Sequence, residues 1–286
     1  MSPDEKALDE FWGNCDETVL IEITSASGST PREQGTWMLV SKSDTFNTIG
    51  GGQLEYMAID QARSMLSRRA LHKSEMEVPL GPEIGQCCGG HVSLKLSVLN
   101  EKSRSTVMSW LNKEYKSRPH VYVFGAGHVG NALVEALLLL PVHTELVDGR
   151  EAELAKATDA VVKRHLALPE TIIRDAPVGS AFVILTHDHA LDFLLTKEAL
   201  ARGDAAYVGM IGSDTKRAKF FNWLKRETDA HFNSEALACP IGGLPISDKR
   251  PEVIAALAVA EIITHLASQP GKSTSDVELE KSRVGL

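Results

Sequence analysis

The feature that most constrains the fold of this chain is the glycine motif GAGHVG at positions 125–130. An apolar strand pattern precedes the motif and a helical pattern follows it, as in the dinucleotide-binding fingerprint. In that setting Gly125 permits a tight turn, Gly127 lets the backbone approach a pyrophosphate, and Gly130 lets the helix pack against the strand. The motif therefore predicts a Rossmann unit in the C-terminal half of the chain.

The surroundings of the motif indicate what such a unit would bind. The helix predicted at 129–140 begins just after Gly127 and His128, and the positive end of a helix favours a bound anion. Asp148 lies 18 residues beyond Gly130, about where an acid binds a ribose hydroxyl in dinucleotide-binding proteins. The alternative interpretation is a Rossmann fold that has lost its nucleotide.

Strand and helix patterns alternate through the second half of the chain, which is typical of a parallel sheet. In the first half, strands are predicted at 18–24, 36–40 and 91–99, with a helix at 53–69. We expect an α/β protein with a C-terminal Rossmann-like parallel sheet and a smaller N-terminal α/β domain. Its expected divisions are an N-terminal domain at 1–100, a linker with a short helix at 101–119, the Rossmann-like domain at 120–267 and a polar tail at 268–286.

A polar segment, THDHALD at 186–192, follows a nearly all-apolar strand. In an open α/β sheet, ligands bind at the carboxyl edge, so His187 and Asp188 are expected to contact a nucleotide or a substrate. Two alternatives stay open. The histidines and acids, including His189, are of the types that bind metals, and Asp188 is also suited to capping the next helix.

A second junction of strand and helix carries Gly212 and Ser213. Its backbone and hydroxyl donors are suited to binding an anion, with Lys216 and Arg217 one turn into the helix. The alternative is an ordinary capped helix with a solvated basic turn.

The N-terminal half has a glycine run of its own, Gly50, Gly51 and Gly52, directly before a helical pattern. Free N–H groups in such a loop can hold a phosphate, and Arg32 in the preceding turn is a candidate charged partner. The alternative is a tight turn that crosses another backbone segment.

The cysteines do not form a zinc motif, because no C-x-x-C pair is present. Cys87 and Cys88 lie in the glycine-rich loop GQCCGG, where small neighbours leave room for a ligand to approach sulfur. Thiolates suit soft metals and sulfur chemistry. Cys239, in a Cys-Pro-Ile-Gly loop, is either part of the same pocket or a core residue.

Composition excludes several classes of protein. The net charge of -8 argues against a binder of duplex nucleic acid. The sequence has no apolar run of the ~20 residues that a membrane span requires, and its N-terminus lacks the apolar core of a signal peptide. We therefore expect a cytoplasmic protein that binds neither nucleic acid nor membranes.

Taken together, the motifs identify a resemblance to the XdhC/CoxI family of xanthine dehydrogenase accessory proteins. The resemblance covers roughly residues 15–267 in order. It rests on these segments: GSTPR at 28–32, GGGQLE at 50–55, GQCCGG at 85–90, VFGAGHVG at 123–130, THD at 186–188, GMIGS at 209–213, CPIG at 239–242 and AEII at 260–263.

The resemblance implies an accessory chaperone without metabolic turnover of its own. Such proteins are thought to bind molybdenum cofactor, to protect it while a cysteine desulfurase supplies the sulfur of its sulfurated form, and to deliver it to xanthine dehydrogenase. A homodimer is also expected. In this interpretation the glycine loops hold the phosphate of the molybdopterin, and Cys87 or Cys88 faces the molybdenum, with Cys239 as the third candidate. The family assigns no role to His189.

The main alternative is an NAD(P)-dependent oxidoreductase. It would use the same glycine motif, with His187 or His189 as acid or base. A nucleotide-sensing regulator is the third interpretation, although nothing in the sequence resembles a helix that reads nucleic acid.

Overall fold

The computed structural model describes residues 3–68, 73–81, 89–228, 232–243 and 248–268. The chain divides into two compact units, with the change between Lys116 and Ser117. Cys87 and Cys88, and the part of the expected polar tail after residue 268, lie outside the described residues.

Unit 1 is built on a five-stranded antiparallel sheet with helices on both faces. Its elements are α1 (Pro3–Gly13), β1 (Val19–Ser27), β2 (Trp37–Val40), β3 (Thr45–Phe46), α2 (Gly52–Arg68), β4 (Lys73–Leu80), β5 (Gly90–Val98) and α3 (Glu101–Ser117). The strand order is β3-β2-β1-β5-β4.

The side chains of the central strand, β1, point alternately to the two faces of the sheet, and this explains why unit 1 has helices on both faces. Val19 and Ile21 of β1 pack with α2 on one face, whereas Leu20 packs with α1 and α3 on the other. Successive side chains of a strand point to opposite faces, so β1 is apolar at three consecutive positions, 19–21, where both faces of the sheet are covered.

The segment 101–119, expected to be a linker with a short helix, instead forms α3, a 17-residue helix of unit 1. Its buried residues are Ser103, Val107 and Leu111, which recur at helical spacing. The polar composition that suggested a linker belongs to the solvent-facing side of this helix.

Unit 2 contains the predicted parallel sheet, which confirms the expected fold class. Its elements are β6 (His120–Phe124), α4 (His128–Leu137), β7 (His143–Asp148), α5 (Glu151–Leu154), β8 (Val162–His165), α6 (Glu170–Asp175), β9 (Ala181–Ile184), α7 (His189–Arg202), β10 (Tyr207–Met210), α8 (Asp214–Glu227), β11 (Leu237–Ala238) and α9 (Pro251–Ala267).

The six strands have the order β11-β10-β9-β6-β7-β8, and all neighbouring pairs are parallel. The chain runs outward from β6 through β7 and β8, then returns to β9 on the opposite side of β6. This reversal makes the carboxyl end of β6 the topological switch point, where open α/β sheets bind their ligands.

The core of unit 2 lies on both faces of this sheet. Val121 and Val123 of β6 pack with α4 and α9, and Phe124 packs with α7 and α8 on the opposite face. In the part of the chain that the structure describes, no helix is long and apolar enough to cross a membrane.

Candidate functional site

The glycine motif of unit 2 is packed as its fingerprint predicts. Gly125 has φ +122°, and a Cβ placed on it would lie 2.3 Å from the carbonyl oxygen of Leu185. A Cβ on Gly130 would lie 1.9 Å from the carbonyl oxygen of Gly125. The motif therefore touches the loop after β9 and bends back on itself, with no room for a side chain at either position.

Gly127 has the opposite environment, since a Cβ placed on it would meet no atom within 4 Å. It is the N-cap residue of α4, and the N-terminus of this helix has no side-chain cap. By contrast, Asp188 caps α7 and Ser213 caps α8. The N-terminus of α4, beside the exposed His128, thus combines open space at Gly127 with the positive end of the helix dipole.

Asp148 lies at the end of β7, as expected, but its carboxylate is already occupied. Oδ2 accepts hydrogen bonds from the Ala126 amide at 2.8 Å and from Arg150 Nη2 at 2.8 Å. Oδ1 accepts from the Arg150 amide at 2.9 Å and from Arg150 Nε at 3.0 Å. Burial acts to raise the pKa of Asp148, but these bonds outweigh it and leave the pKa below its ordinary value.

A buried ion pair connects the loops that follow β9 and β10. Asp192 is fully buried, and its Oδ1 accepts from the Thr186 amide at 2.9 Å and from the Thr186 hydroxyl at 2.7 Å. Its Oδ2 accepts from Lys216 Nζ at 2.5 Å, and Nζ also donates to the Ile211 carbonyl at 2.8 Å. The Lys216 side chain crosses Gly212, where an added Cβ would lie 2.6 Å from Lys216 Cδ. Gly212 therefore makes room for this lysine.

The other polar residues after β9 are exposed. His187, Asp188 and His189 all lie at the surface, and Asp188 Oδ1 accepts from the Ala190 amide at 2.8 Å. The capping alternative thus describes Asp188. The described residues contain no group of three His, Cys, Asp or Glu side chains that would hold a metal ion.

Cys239 follows β11 and is buried beside the loop that carries Ser213. Its Sγ lies 4.0 Å from the Ser213 carbonyl oxygen. Burial raises the pKa of Cys239 to about 11, although Lys216 and Arg217 act to lower it. The thiol is therefore protonated near neutral pH, which makes it a poor nucleophile and a poor metal ligand.

In unit 1, the motifs from three separate parts of the sequence meet. Ser29 forms a parallel bridge with Gly89, and a Cβ on Gly90 would lie 2.3 Å from the Ser29 carbonyl oxygen. A Cβ on Gly50, which has φ +122°, would lie 2.7 Å from Pro31 Cβ. The turn carrying the exposed Arg32 thus contacts both the glycine run and the end of the cysteine loop.

Two amides of the glycine run that was expected to bind phosphate already have acceptors, because Gly51 donates to Glu55 and Gly50 donates to the Thr48 hydroxyl at 3.0 Å. Oε2 of Glu55 accepts from the Ile49 amide at 3.1 Å, from the Gly51 amide at 3.1 Å and from the Thr48 hydroxyl. Sequence reasoning missed this role. The signal was present, because a glutamate one turn into a helix has the spacing of a capping residue.

Comparison with known proteins gives two family matches. The model described as the XdhC Rossmann domain matches residues 121–262, and that of the XdhC and CoxI family matches residues 14–73. YqeB of Escherichia coli K12 is 25% identical over 263 residues, which are 88% of this chain and 44% of YqeB. The chain thus spans less than half the length of that relative.

A solved structure is also similar. The crystal structure described as a xanthine dehydrogenase from Bacillus halodurans has a TM-score of 0.77 and 18% identity. The match covers 96% of this chain and 98% of that one. At this level of identity the similarity concerns the fold alone.

Proposed function

Because the chain belongs to the XdhC and CoxI family, we propose that it acts in the maturation of a xanthine dehydrogenase, as a chaperone for molybdenum cofactor. In this role it binds the cofactor as cargo, protects it while a cysteine desulfurase supplies sulfur, and delivers it to the enzyme. We place this role in the cytoplasm and assign it to a homodimer.

The observation that carries the proposal is the uncapped N-terminus of α4 at the switch point of the sheet. Molybdopterin ends in a phosphate, and phosphates bind at helix N-termini because the first-turn amides point at the ligand. Gly127 leaves that position open, since an added Cβ would meet nothing within 4 Å. The site thus fits the anionic end of the cargo.

The surrounding residues hold this position in place. Gly125 and Gly130 permit the close packing of the glycine loop, and the Asp192–Lys216 pair fixes the loop after β9 against which Gly125 lies. These residues hold the glycine loop in a fixed position before a ligand arrives, and such preorganisation lowers the entropic cost of binding.

We propose that a thiol of the protein binds the molybdenum of the cargo, which is a soft metal centre. Cys87 and Cys88 are the proposed candidates, because thiolates are the ligands that soft metals prefer. The buried, protonated Cys239 is less suited to this task.

The test is cofactor retention. Purified protein is incubated anaerobically with freshly released molybdenum cofactor and gel-filtered, and molybdenum and pterin are assayed in the protein peak. We expect near-stoichiometric retention by the wild type and loss of molybdenum in Cys87→Ala/Cys88→Ala. Cys15→Ala is the matched control, since the Cys15 thiol already donates to the Phe11 carbonyl.

Either of two results would count against the proposal. Absence of retention by the wild type contradicts the chaperone function, and full retention by the double variant contradicts the thiol assignment. Turnover of reduced nicotinamide with simple carbonyl substrates would instead favour the oxidoreductase. The occupied carboxylate of Asp148 disfavours the use of NAD by such an enzyme.

A further inference from the structure

We propose that Arg150 determines which anions the glycine-motif site accepts. By bonding to the carboxylate of Asp148, it prevents that carboxylate from accepting hydrogen bonds from the ribose of an adenine nucleotide. The inference rests on the proposed function, since it concerns the same phosphate position, and it adds a specificity-determining residue. Under this proposal the site binds phosphate groups, and a ribose attached to the phosphate adds no binding affinity.

Hydrogen bonds from the protein itself already use the acceptor positions of the Asp148 carboxylate. In dinucleotide-binding Rossmann folds the acid at this strand end accepts hydrogen bonds from ribose hydroxyls. A carboxylate offers about four lone-pair positions. The four hydrogen bonds from Ala126 and Arg150 fill all of them, two on each oxygen of Asp148.

Two of these four bonds come from the Arg150 side chain, one to each oxygen. The other two come from backbone amides, which a substitution at Arg150 leaves in place. Truncation of this side chain therefore frees one acceptor position on Oδ1 and one on Oδ2. That pair matches the two adjacent hydroxyls of a ribose.

The position of the guanidinium also matters. The Arg150 side chain is 36% exposed, whereas that of Asp148 is 4% exposed, so the arginine covers the carboxylate on its solvent side. Removing the arginine opens Asp148 toward solvent and toward a ligand, and it also leaves the carboxylate charge without its cation. A charged acceptor forms stronger hydrogen bonds to hydroxyl donors than a neutral one does.

The test measures discrimination by a ribose hydroxyl. ADP and its 2′-deoxy analogue are titrated calorimetrically against the full chain, with pyrophosphate as the probe that lacks a ribose. We expect the wild type to bind the two nucleotides equally. Arg150→Ala is expected to bind ADP about tenfold more tightly than the deoxy analogue, a factor that corresponds to about 1.4 kcal/mol.

Two variants serve as controls. Asp148→Asn/Arg150→Ala should lose the preference, because it removes the charged acceptor. Arg164→Ala should not acquire one, because that arginine is bonded to Glu145, a different carboxylate of β7.

The proposal is overturned if the wild type already prefers ADP tenfold, because Asp148 would then be accessible despite Arg150. It is also overturned if Arg150→Ala melts near the wild-type temperature and shows no preference. If that variant does not fold, Arg150→Ser replaces it. The ratio of the wild-type affinities for ADP and the deoxy analogue tests the proposal in either case. Cofactor retention is measured separately, so failure of the chaperone function and failure of this inference are distinguishable.

Discussion

Replacing Gly130 with alanine tests how tightly the glycine motif is packed. The added Cβ would lie 1.9 Å from the Gly125 carbonyl oxygen and 2.9 Å from Leu185 Cδ1. The first distance is more than an ångström shorter than a van der Waals contact of about 3.5 Å. Because the obstructing atom belongs to the backbone, a rotamer change cannot relieve the contact, and α4 must shift.

The expected loss of stability follows from two opposing effects. Overpacking costs about 3 kcal/mol at the upper end of its usual range. Alanine gains about 1 kcal/mol over glycine in a helix. The net loss is about 2 kcal/mol, which corresponds to a fall of about 4–8 °C in the unfolding temperature of a domain of this size.

Differential scanning calorimetry of the full chain measures this change, with Gly127→Ala as the matched control. That variant adds the same methyl group where nothing lies within 4 Å, and its φ of -76° suits any residue. We expect it to melt within about 2 °C of the wild type, because substitutions without a steric conflict usually cost under about 0.5 kcal/mol. Equal melting temperatures for both variants would refute the packing argument.

Three further predictions concern buried ionisable groups. Lys216→Met should cost about 3 kcal/mol in urea unfolding because it leaves the Asp192 carboxylate buried without its cation, and Lys216→Met/Asp192→Asn should recover part of that loss; equal losses contradict the coupling. Cys239 has its pKa raised from 9.0 to about 11, so its stabilising contribution is complete below the lower value and is lost as pH rises through the upper one. The difference in unfolding free energy between wild type and Cys239→Ala should therefore shrink across that range, and a constant difference refutes this. Glu145 has burial acting to raise its pKa, but bonds from His143 and Arg164 lower it from 4.5 to about 2, so its stabilising contribution is lost as pH falls through that window. Glu145→Gln should show a flatter acid unfolding profile, and an unchanged profile counts against this assignment.

Much of the fold was predictable because local patterns and long-range packing agree. The strand predicted at 91–99 is β5, and the helix predicted at 53–69 is α2, each shifted by one residue at its ends. β4 was not predicted, although the alternation of glutamate with apolar residues in its sequence KSEMEVPL is typical of a strand with one exposed face. Lysine, glutamate and proline are depleted in strands, and the proline is tolerated here because β4 lies at the edge of the sheet.

The positions of the candidate site could be predicted from the sequence, but the hydrogen-bond partners of its residues could not. The glycine spacing placed the loop at the end of β6, and the pattern after it placed α4. The sequence did not reveal that Arg150 and Ala126 saturate Asp148. The rotamer of Arg150 and the approach of the Ala126 amide from the loop after β6 are set by packing, which the sequence pattern does not show. Lys216 appeared only as a basic residue near Gly212, and its pairing with Asp192 joins residues 24 positions apart.

The hydrogen bonds and charges of the described residues indicate which of the candidate positions is best suited to a phosphate. In the glycine run of unit 1, the Gly51 amide donates to Glu55 and the Gly50 amide to the Thr48 hydroxyl. The N-termini of α7 and α8 are capped by Asp188 and Ser213. A phosphate at any of these three places would have to displace an oxygen that the chain itself supplies, and at Glu55 and Asp188 that oxygen is charged. Among the sites that the sequence proposed, the N-terminus of α4 alone combines an uncapped first turn with open space at Gly127. We therefore expect an anionic cargo to bind most favourably at the N-terminus of α4, because its phosphate can accept from amide donors there without competing with an oxygen of the protein.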